Sequence, residues 1–455
     1  MTPNIFFIII DSLRADKFLG VNSTAITPNI DKLRKQGINF ENVISPSDGT
    51  LLSWASLFTG LHPFKTGIKP TKQYNKLPSE IPTYFSVLKN QGYNTYGYIP
   101  SVSKTIGLFP KFENDDYSYD HYWNLSNNLG VNTVSILKSK KMQQPWAFFL
   151  HIMDLHFPIR VSKDFEKPEY GSNKYEQKLS EIDVWLGKFL EQIDLNSTLI
   201  TITADHGTYV KAVHRSDLEI NLEVNGSLQT IARNLGNKVP KPLEPLKSDF
   251  FFFIEKIRKR IKQNKVKNLH LKPHEERALL GQRSDLNHFL YDDKIHVPLL
   301  FVGHNIESGK KITNLVRTID IFPTMFDIIN IQNPNNNVDG RSVLPIIKGQ
   351  DLEEQPAYME THPLIEREST DVIGIRTSKF KYFRDNKDPK KQVHLYDLTT
   401  DPYEDENIKE KSPEIIDDME QILQDLIKQK PKKSEEISDE ETKKIEEELK
   451  KLGYL

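Results

Sequence analysis

The sequence predicts an α/β fold organised by a mainly parallel sheet, and two matching segments carry that prediction. Asn4-Ile-Phe-Phe-Ile-Ile-Ile-Asp11 is a short apolar run that ends on a carboxylate. Leu199-Ile-Thr-Ile-Thr-Ala-Asp205-His206-Gly207 repeats the arrangement far along the chain. Continuous β-branched runs read as strands buried on both faces, the habit of parallel sheets. Ligands of such sheets bind beyond the carboxyl ends of the strands, so Asp11, Asp205 and His206 are delivered to a functional edge. Two carboxylates and an imidazole are donors suited to a hard or borderline divalent cation. The plainer reading is that each aspartate only caps the turn that follows it.

Between these strands, Ser45-Pro-Ser-Asp-Gly-Thr50 makes a turn, and Thr50 opens a helical stretch that stops at Gly60. A hydroxyl at a helix N-terminus can cap the helix. It can also face an anion held by the free N–H groups and the helix dipole, and a neighbouring metal would make it a nucleophile.

With further blocks added, the chain resembles the sulfatase branch of the alkaline phosphatase superfamily. The blocks are Asp11-Ser-Leu-Arg14-Ala-Asp16, Thr27-Pro28-Asn29-Ile-Asp31, Ala55-Ser-Leu-Phe-Thr-Gly60, Phe148-Phe-Leu-His151-Ile-Met-Asp154-Leu-His156-Phe-Pro158, Asp205-His206-Gly207, Leu290-Tyr291 through Val297-Pro298, Thr318-Ile-Asp320 and Leu395-Tyr396-Asp397. They keep the family's order over nearly the whole length. The resemblance implies an alkaline-phosphatase-like three-layer α/β/α sandwich with a mainly parallel central sheet and a small C-terminal α+β subdomain.

Departures from the family shape the expected chemistry. Sulfatases use a Cys or Ser converted to formylglycine in a Cys-x-Pro-x-Arg motif. Here that nucleophile position is Thr50, with Leu52 and Trp54 in place of the proline and arginine. The chain has no cysteine, and threonine cannot become formylglycine. Threonine nucleophiles elsewhere in the superfamily belong to phosphodiesterases and phosphoglycerol-type transferases, so the resemblance implies phosphoryl transfer, on a phosphodiester or phosphomonoester, through Thr50. Ser12 stands where the family has a second aspartate. The implied single-metal set is Asp11, Thr50, Asp205 and His206, an oxygen-rich group suited to magnesium, manganese or calcium, with zinc also admissible. Two other readings stand beside this one: sulfuric ester hydrolysis without formylglycine, and a non-catalytic binding relative.

The departing alkoxide needs a proton or a cation, and His156 and His288 are the catalytic candidates; each has a purely structural reading as well. His214 and Lys294 are the substrate-binding candidates for an anionic ester. Lys294 and His296 also read as solvated residues flanking a strand, and His151, inside an apolar stretch, reads as core.

Composition sets further bounds. With 61 basic against 63 acidic residues, whole-chain charge gives no indication of nucleic acid binding. The lack of cysteine excludes disulfides and sulfur-ligated zinc. The first strand begins at residue 4, leaving no room for a cleavable leader, and no apolar run reaches membrane-spanning length, so the expected location is cytoplasmic. The expected organisation is a catalytic domain over 1–345, an antiparallel-sheet subdomain over 346–410, and charged helices over 411–455. The first of these helices starts at Ser412-Pro413-Glu414, and the last at the capping box Ser438-Asp-Glu-Glu441. Within the catalytic domain, 208–288 is an insertion. It contains the proline-rich stretch Lys238–Pro245, then Phe250 to Phe253 and a basic helix to Lys265; between Lys241 and Lys272 there are ten basic residues and three acidic ones. This segment suits a lid over the site or, through residues 250–265, peripheral contact with an anionic membrane surface. Oligomeric state is not expressed in the sequence.

Overall fold

The computed structural model describes residues 2–428 and 435–436, except 69–74, 101–102, 104–105, 120–123, 216, 223–243, 282–287, 308, 333–336 and 363–369. The capping box at 438–441 and the last charged helix therefore lie outside the described residues.

Strands are numbered along the chain as β1 (Asn4–Ile10), β2 (Ile38–Ile44), β3 (Asn94–Pro100), β4 (Ser118–Tyr119), β5 (Trp146–Ile152) and β6 (Thr198–Thr203). A hairpin of β7 (Ala212–Arg215) and β8 (Leu218–Asn221) follows, then β9 (His296–Gly303), β10 (Lys310–Ile312) and β11 (Val316–Arg317). The main sheet runs β10-β2-β9-β6-β1-β5-β3-β4, with β11 also paired to β2. Only β9 is antiparallel to its neighbours β2 and β6. Every residue of β1 is buried, as are all of β5 and β6, which is why these strands read as unbroken apolar runs rather than alternating ones.

The principal helices are α1 (Pro28–Gln36), α2 (Thr50–Thr59), α3 (Lys174–Leu190), α4 (Glu244–Val266), α5 (Pro273–Leu280), α6 (Ile321–Ile328) and α7 (Pro413–Ile427). Adjacent strand residues point to opposite faces, and β1 shows the two outer layers directly. Phe6 meets Phe189 of α3 at 6.4 Å, whereas Phe7 meets Phe58 of α2 at 5.7 Å. The three-layer α/β/α architecture expected from the resemblance is present. Asp183 of α3 satisfies the otherwise free N–H groups at the start of α1, accepting from Ile30 at 2.7 Å and Asn29 at 3.2 Å. This explains the Thr27-Pro28-Asn29 motif as a helix start anchored from a neighbouring helix.

The C-terminal unit is a four-stranded antiparallel sheet, β12 (Ala357–Glu360), β13 (Val372–Arg376), β14 (Phe380–Asp385) and β15 (His394–Asp397), in that order. Helix α7 covers it, with Met419 and Leu423 packed on Tyr358, Ile375 and Leu395. Helix α7 begins at Pro413, as expected from Ser412-Pro413-Glu414. An apolar cluster of Ile44, Leu290, Ile295, Met359, Val372 and Phe383 joins this sheet to the main one. The insertion carries a small core of its own: Val213, Leu222, Val266, Leu279 and Leu280. Pro245, expected in the linker, falls in the first turn of α4, a place where a missing N–H costs nothing; residues 238–242 lie outside the described ones.

A buried ion network holds the units together. Lys381 on β14 is fully buried and pairs with Asp292 and with Glu404, the latter at 2.5 Å. Arg376 adds a second cation to Asp292 at 3.0 Å. Burial raises Glu404 to about 7, although Lys381 pulls it down. Lys381→Met should therefore strand buried carboxylates and destabilise the protein by roughly 3–5 kcal/mol, read as a lowered urea midpoint. A change below about 1 kcal/mol would show that the network contributes little.

Candidate metal centre and nucleophile

The centre follows from strand register. In the parallel ladder, Ile9 of β1 lies opposite both His151 of β5 and Thr203 of β6. Residues two apart share a face, so Asp11 follows Ile9 and Asp205 follows Thr203 onto the face that carries His151. All three are fully buried, and one ligand atom from each lies within 4.8 Å of the others. His151 corrects the sequence expectation. It is buried as expected, but its Nε2 stands 3.5 Å from Asp11 Oδ2 rather than among apolar groups alone. It is the strand register opposite Ile9 that reveals it.

Thr50 is the first residue of α2. Gly49 occupies the capping position and offers no side chain to cap the helix. Thr50 Oγ1 lies 3.4 Å from Asp11 Oδ2 and 3.3 Å from His206 Nε2. His206 Nε2 is in turn 3.6 Å from Asp205 Oδ2. The other ring nitrogen, Nδ1, is 2.8 Å from the Gly207 carbonyl. A carbonyl only accepts, so Nδ1 carries the proton and Nε2 presents a lone pair to Thr50. Asp11, Thr50, Asp205 and His206 therefore converge on one point, with His151 added.

The carboxylates are braced from behind. Ser12 adopts a left-handed backbone (φ 63°), which turns its N–H toward Asp205 Oδ1 at 3.2 Å while its hydroxyl donates to Asp11 Oδ1 at 2.7 Å. The His206 N–H also donates to Asp205 Oδ1, at 2.8 Å. Gly207 is required here: a Cβ would meet the Asp293 carbonyl oxygen at 2.3 Å. Burial would raise the Asp11 carboxyl, but contact with His151 and the nearness of the His156 and His206 imidazoles hold it well below the ordinary range. Asp205 is displaced the other way, by burial and by the charge of Asp11. One of two like charges in a buried site is disfavoured unless a cation joins them.

The donor set fits such a cation. His151 Nε2 and Asp205 Oδ2 are buried and make no hydrogen bond, the position of ligand atoms whose partner is an ion. The Tyr119 hydroxyl contacts both His151 Nδ1 (3.1 Å) and the His151 carbonyl (3.2 Å). When it donates to the carbonyl and accepts from Nδ1, Nε2 is left as a free lone pair, the second-sphere arrangement common to histidine ligands. Trp54, in place of the motif arginine, is buried with its ring 4.5 Å from that of His151, so an apolar wall stands where the family has a cation.

The remaining candidates fall in different places. His156 sits on the loop after β5, close enough for its charge to act on Asp11. That loop is clamped by buried Lys178, whose Nζ is 3.5 Å from Asp154 and 2.7 Å from Glu181. Lys294 is not solvated as its flanking reading supposed: Nζ pairs with Asp48 at 2.8 Å, two residues before Thr50. His296 is likewise engaged, through Nε2, with the Glu41 carbonyl at 2.8 Å. His288 is buried, 3.8 Å from Asp371, and its charge acts on Asp48. Burial opposes ionisation of Asp48, yet Lys294 and His288 together hold it below the ordinary range. His214 lies apart on the β7–β8 hairpin, with its side chain about half exposed and facing Glu219 at 4.0 Å. Sequence reasoning missed Asp48 and Tyr119, neither of which carries a signal beyond its neighbours, and read Ser12 only as the loss of a second carboxylate, not as a brace for Asp11 and Asp205.

Residues 3–331 match the family described as Sulfatase, and residues 285–432 match the C-terminal region of N-sulphoglucosamine sulphohydrolase. The chain belongs to the sulfatase family. Arylsulfatase K of Homo sapiens is 33% identical over 145 residues, 30% of this chain and 27% of that protein. The chain thus spans only about a quarter of that relative's length. Ulvan-active sulfatase of Formosa agariphila is 23% identical over 514 positions, covering 100% of this chain and 85% of that protein. Among solved structures, a 2-O GAG sulfatase superposes with a TM-score of 0.64 at 17% identity, covering 94% of this chain and 93% of that one. The phosphonate monoester hydrolase of Agrobacterium radiobacter gives 0.64 at 15%, covering 94% and 96%. These superpositions establish the fold. Sulfatases typically hold a divalent metal, and Asp11, His151 and Asp205 form a group able to do so.

Magnesium, manganese or calcium should therefore raise the melting temperature of the protein, since an ion at about 100 times its Kd adds about 2.7 kcal/mol. Asp11→Asn and Asp205→Asn should abolish that response, and His214→Ala should preserve it. A metal response undiminished in both aspartate variants would place the cation elsewhere.

Proposed function

We propose that this chain is a metal-dependent hydrolase or phosphotransferase that cleaves a phosphoester through Thr50. One observation carries the reading: the Thr50 hydroxyl lies within 3.4 Å of both Asp11 and His206, beside the Asp11, His151 and Asp205 group. The cysteine-free sequence supports it, since a formylglycine route is closed to threonine.

Asp11, His151, Asp205 and His206 would hold the cation, with Thr50 beside it. A divalent ion there supplies Lewis-acid charge, making the neighbouring hydroxyl easier to ionise and neutralising the ester oxygens. Thr50 Oγ1 attacks phosphorus, forming a phosphothreonine ester as the bond to the leaving alcohol breaks. His206 offers its Nε2 lone pair on the hydroxyl side and serves there as ligand or proton acceptor. His156 or His288 protonates the departing alkoxide. Water or an acceptor alcohol then displaces Thr50 from phosphorus, which separates hydrolase from transferase. Lys294, neutralising Asp48, supplies positive charge near the start of α2 for an anionic substrate.

Sulfate-ester cleavage without formylglycine is the second reading, favoured by the end-to-end alignment with the ulvan-active sulfatase. The known structural relative that acts on a phosphonate monoester favours phosphorus. A cytoplasmic site of action remains part of the proposal; among the described residues no helix is long and apolar enough to cross a membrane.

Thr50→Ala should lower turnover by roughly 10³-fold or more while the protein stays folded, since even a lost cap costs only about 1 kcal/mol. Aryl phosphodiester, phosphomonoester, phosphonate and sulfate ester should be assayed side by side with several metals. Preference for the sulfate ester would decide for the second reading. Full activity in a folded Thr50→Ala protein would show that another group attacks.

A further inference from the structure

Helix α4 spans Glu244–Val266, and its two sides are treated differently. Near its C-terminal end Val266 is buried with Leu279 and Leu280 of α5 and Val213 of the hairpin, which fixes the helix to the insertion's own small core. On another side, Ile257 and Ile261 stand 41% and 52% exposed. They are four residues apart and so share a face. In sequence the same spacing continues back through Ile254, Phe253 and Phe250; those side chains lie outside the described residues. Lys256, Arg260 and Lys265 are exposed beside the isoleucine pair. At 3.6 residues per turn, Lys256 and Arg260 fall on one flank of the stripe and Lys265 on the other. Arg258, on the Lys265 side, is paired with Glu255 at 2.5 Å.

We propose that this stripe is an interfacial surface that lays α4 in the plane of an anionic lipid bilayer. The charge pattern selects this occupant. An apolar line bordered on both sides by cations matches a membrane boundary, where isoleucines enter the acyl region and basic head groups meet lipid phosphates. The long Lys and Arg stems let the charges stay at headgroup level while the helix sinks. Two exposed isoleucines within a basic rim offer far less apolar area than the roughly 800 Å² per partner of a stable protein interface. The docked helix would also be tied to the catalytic edge: Arg277 of α5 binds Asp293 at 3.1 Å, and Asp293 pairs with Arg14, three residues after Asp11. This inference does not depend on which ester is cleaved.

The test is co-sedimentation of the full chain with mixed phosphatidylglycerol–phosphatidylcholine vesicles and with pure phosphatidylcholine vesicles, at low and high salt. Binding is expected to the mixed vesicles at low salt and to fall with added salt. In the double variant Lys256→Gln/Arg260→Gln each charge removed should weaken binding roughly fivefold, the equivalent of about 1 kcal/mol per basic residue. Ile257→Ser/Ile261→Ser should lose binding with an unchanged melting temperature. The proposal is overturned if wild type does not bind the mixed vesicles at low salt, if it binds neutral vesicles equally well, or if both double variants bind like wild type. It is equally overturned if sedimentation velocity reveals a dimer that Ile257→Ser/Ile261→Ser dissolves, since the stripe would then cover a second copy of the chain.

Discussion

The structure depends on a single electrostatic constraint: two fully buried carboxylates, Asp11 and Asp205, brought together at the carboxyl edge of adjacent parallel strands. Placing like charges in a low-dielectric interior is unfavourable unless donors and a cation compensate them. The surroundings are arranged for that purpose. Ser12 bends into the left-handed region to give an N–H to one carboxylate and a hydroxyl to the other. His206 gives its backbone N–H to Asp205 and turns its Nε2 lone pair inward. His151 enters from the neighbouring strand. The opposite displacements of the two carboxyls are what such a pair shows when one charge is tolerated and the second resisted.

Around this pair the fold divides its work. The apolar strands β1, β5 and β6 fix the relative positions of three ligand-type residues to the precision of a hydrogen-bonded ladder. Helix α2 brings the hydroxyl of Thr50 over the same point, and Trp54 on that helix closes the side with an aromatic wall. The loop bearing His156 is less regular, and it is steadied by the buried Asp154–Lys178–Glu181 group. Rigid elements thus hold Thr50 and the ligand-type residues, while a loop holds His156.

The insertion and the C-terminal sheet are joined to the site through paired charges rather than through apolar area alone. Asp292 and Asp293, adjacent in sequence, serve two networks: Asp292 binds Arg376 and Lys381 of the second sheet, and Asp293 binds Arg14 and Arg277. The short segment between the insertion and β9 therefore connects the sheet edge that bears Asp11, the inserted helices and the C-terminal unit. Displacement of any of these would expose or unpair a buried ion, which makes their relative arrangement costly to change.

Much of this was legible in the sequence. The strands ending at Asp11 and Asp205 were readable because strands buried on both faces leave an unbroken apolar run, and Thr50 and Gly60 bracket their helix by ordinary start and stop chemistry. The pattern Ile373-Gly-Ile-Arg, Lys379-Phe-Lys-Tyr-Phe and Val393-His-Leu-Tyr showed its antiparallel strands by spacing. Asp11, Thr50, Asp205 and His206 could be grouped because each sits at the end or start of such an element. What the sequence could not express is register. His151 looks like one more buried residue until the β1–β5 ladder sets it opposite Ile9. Lys294 looks like a solvated flank until the turn before Thr50 sets Asp48 beside it. His214 was a substrate-binding candidate through the family resemblance, and the hairpin turns its side chain toward Glu219. Local periodicity determines which elements form. Pairing between residues far apart in the chain, fixed only when the sheet closes, determines which side chains meet.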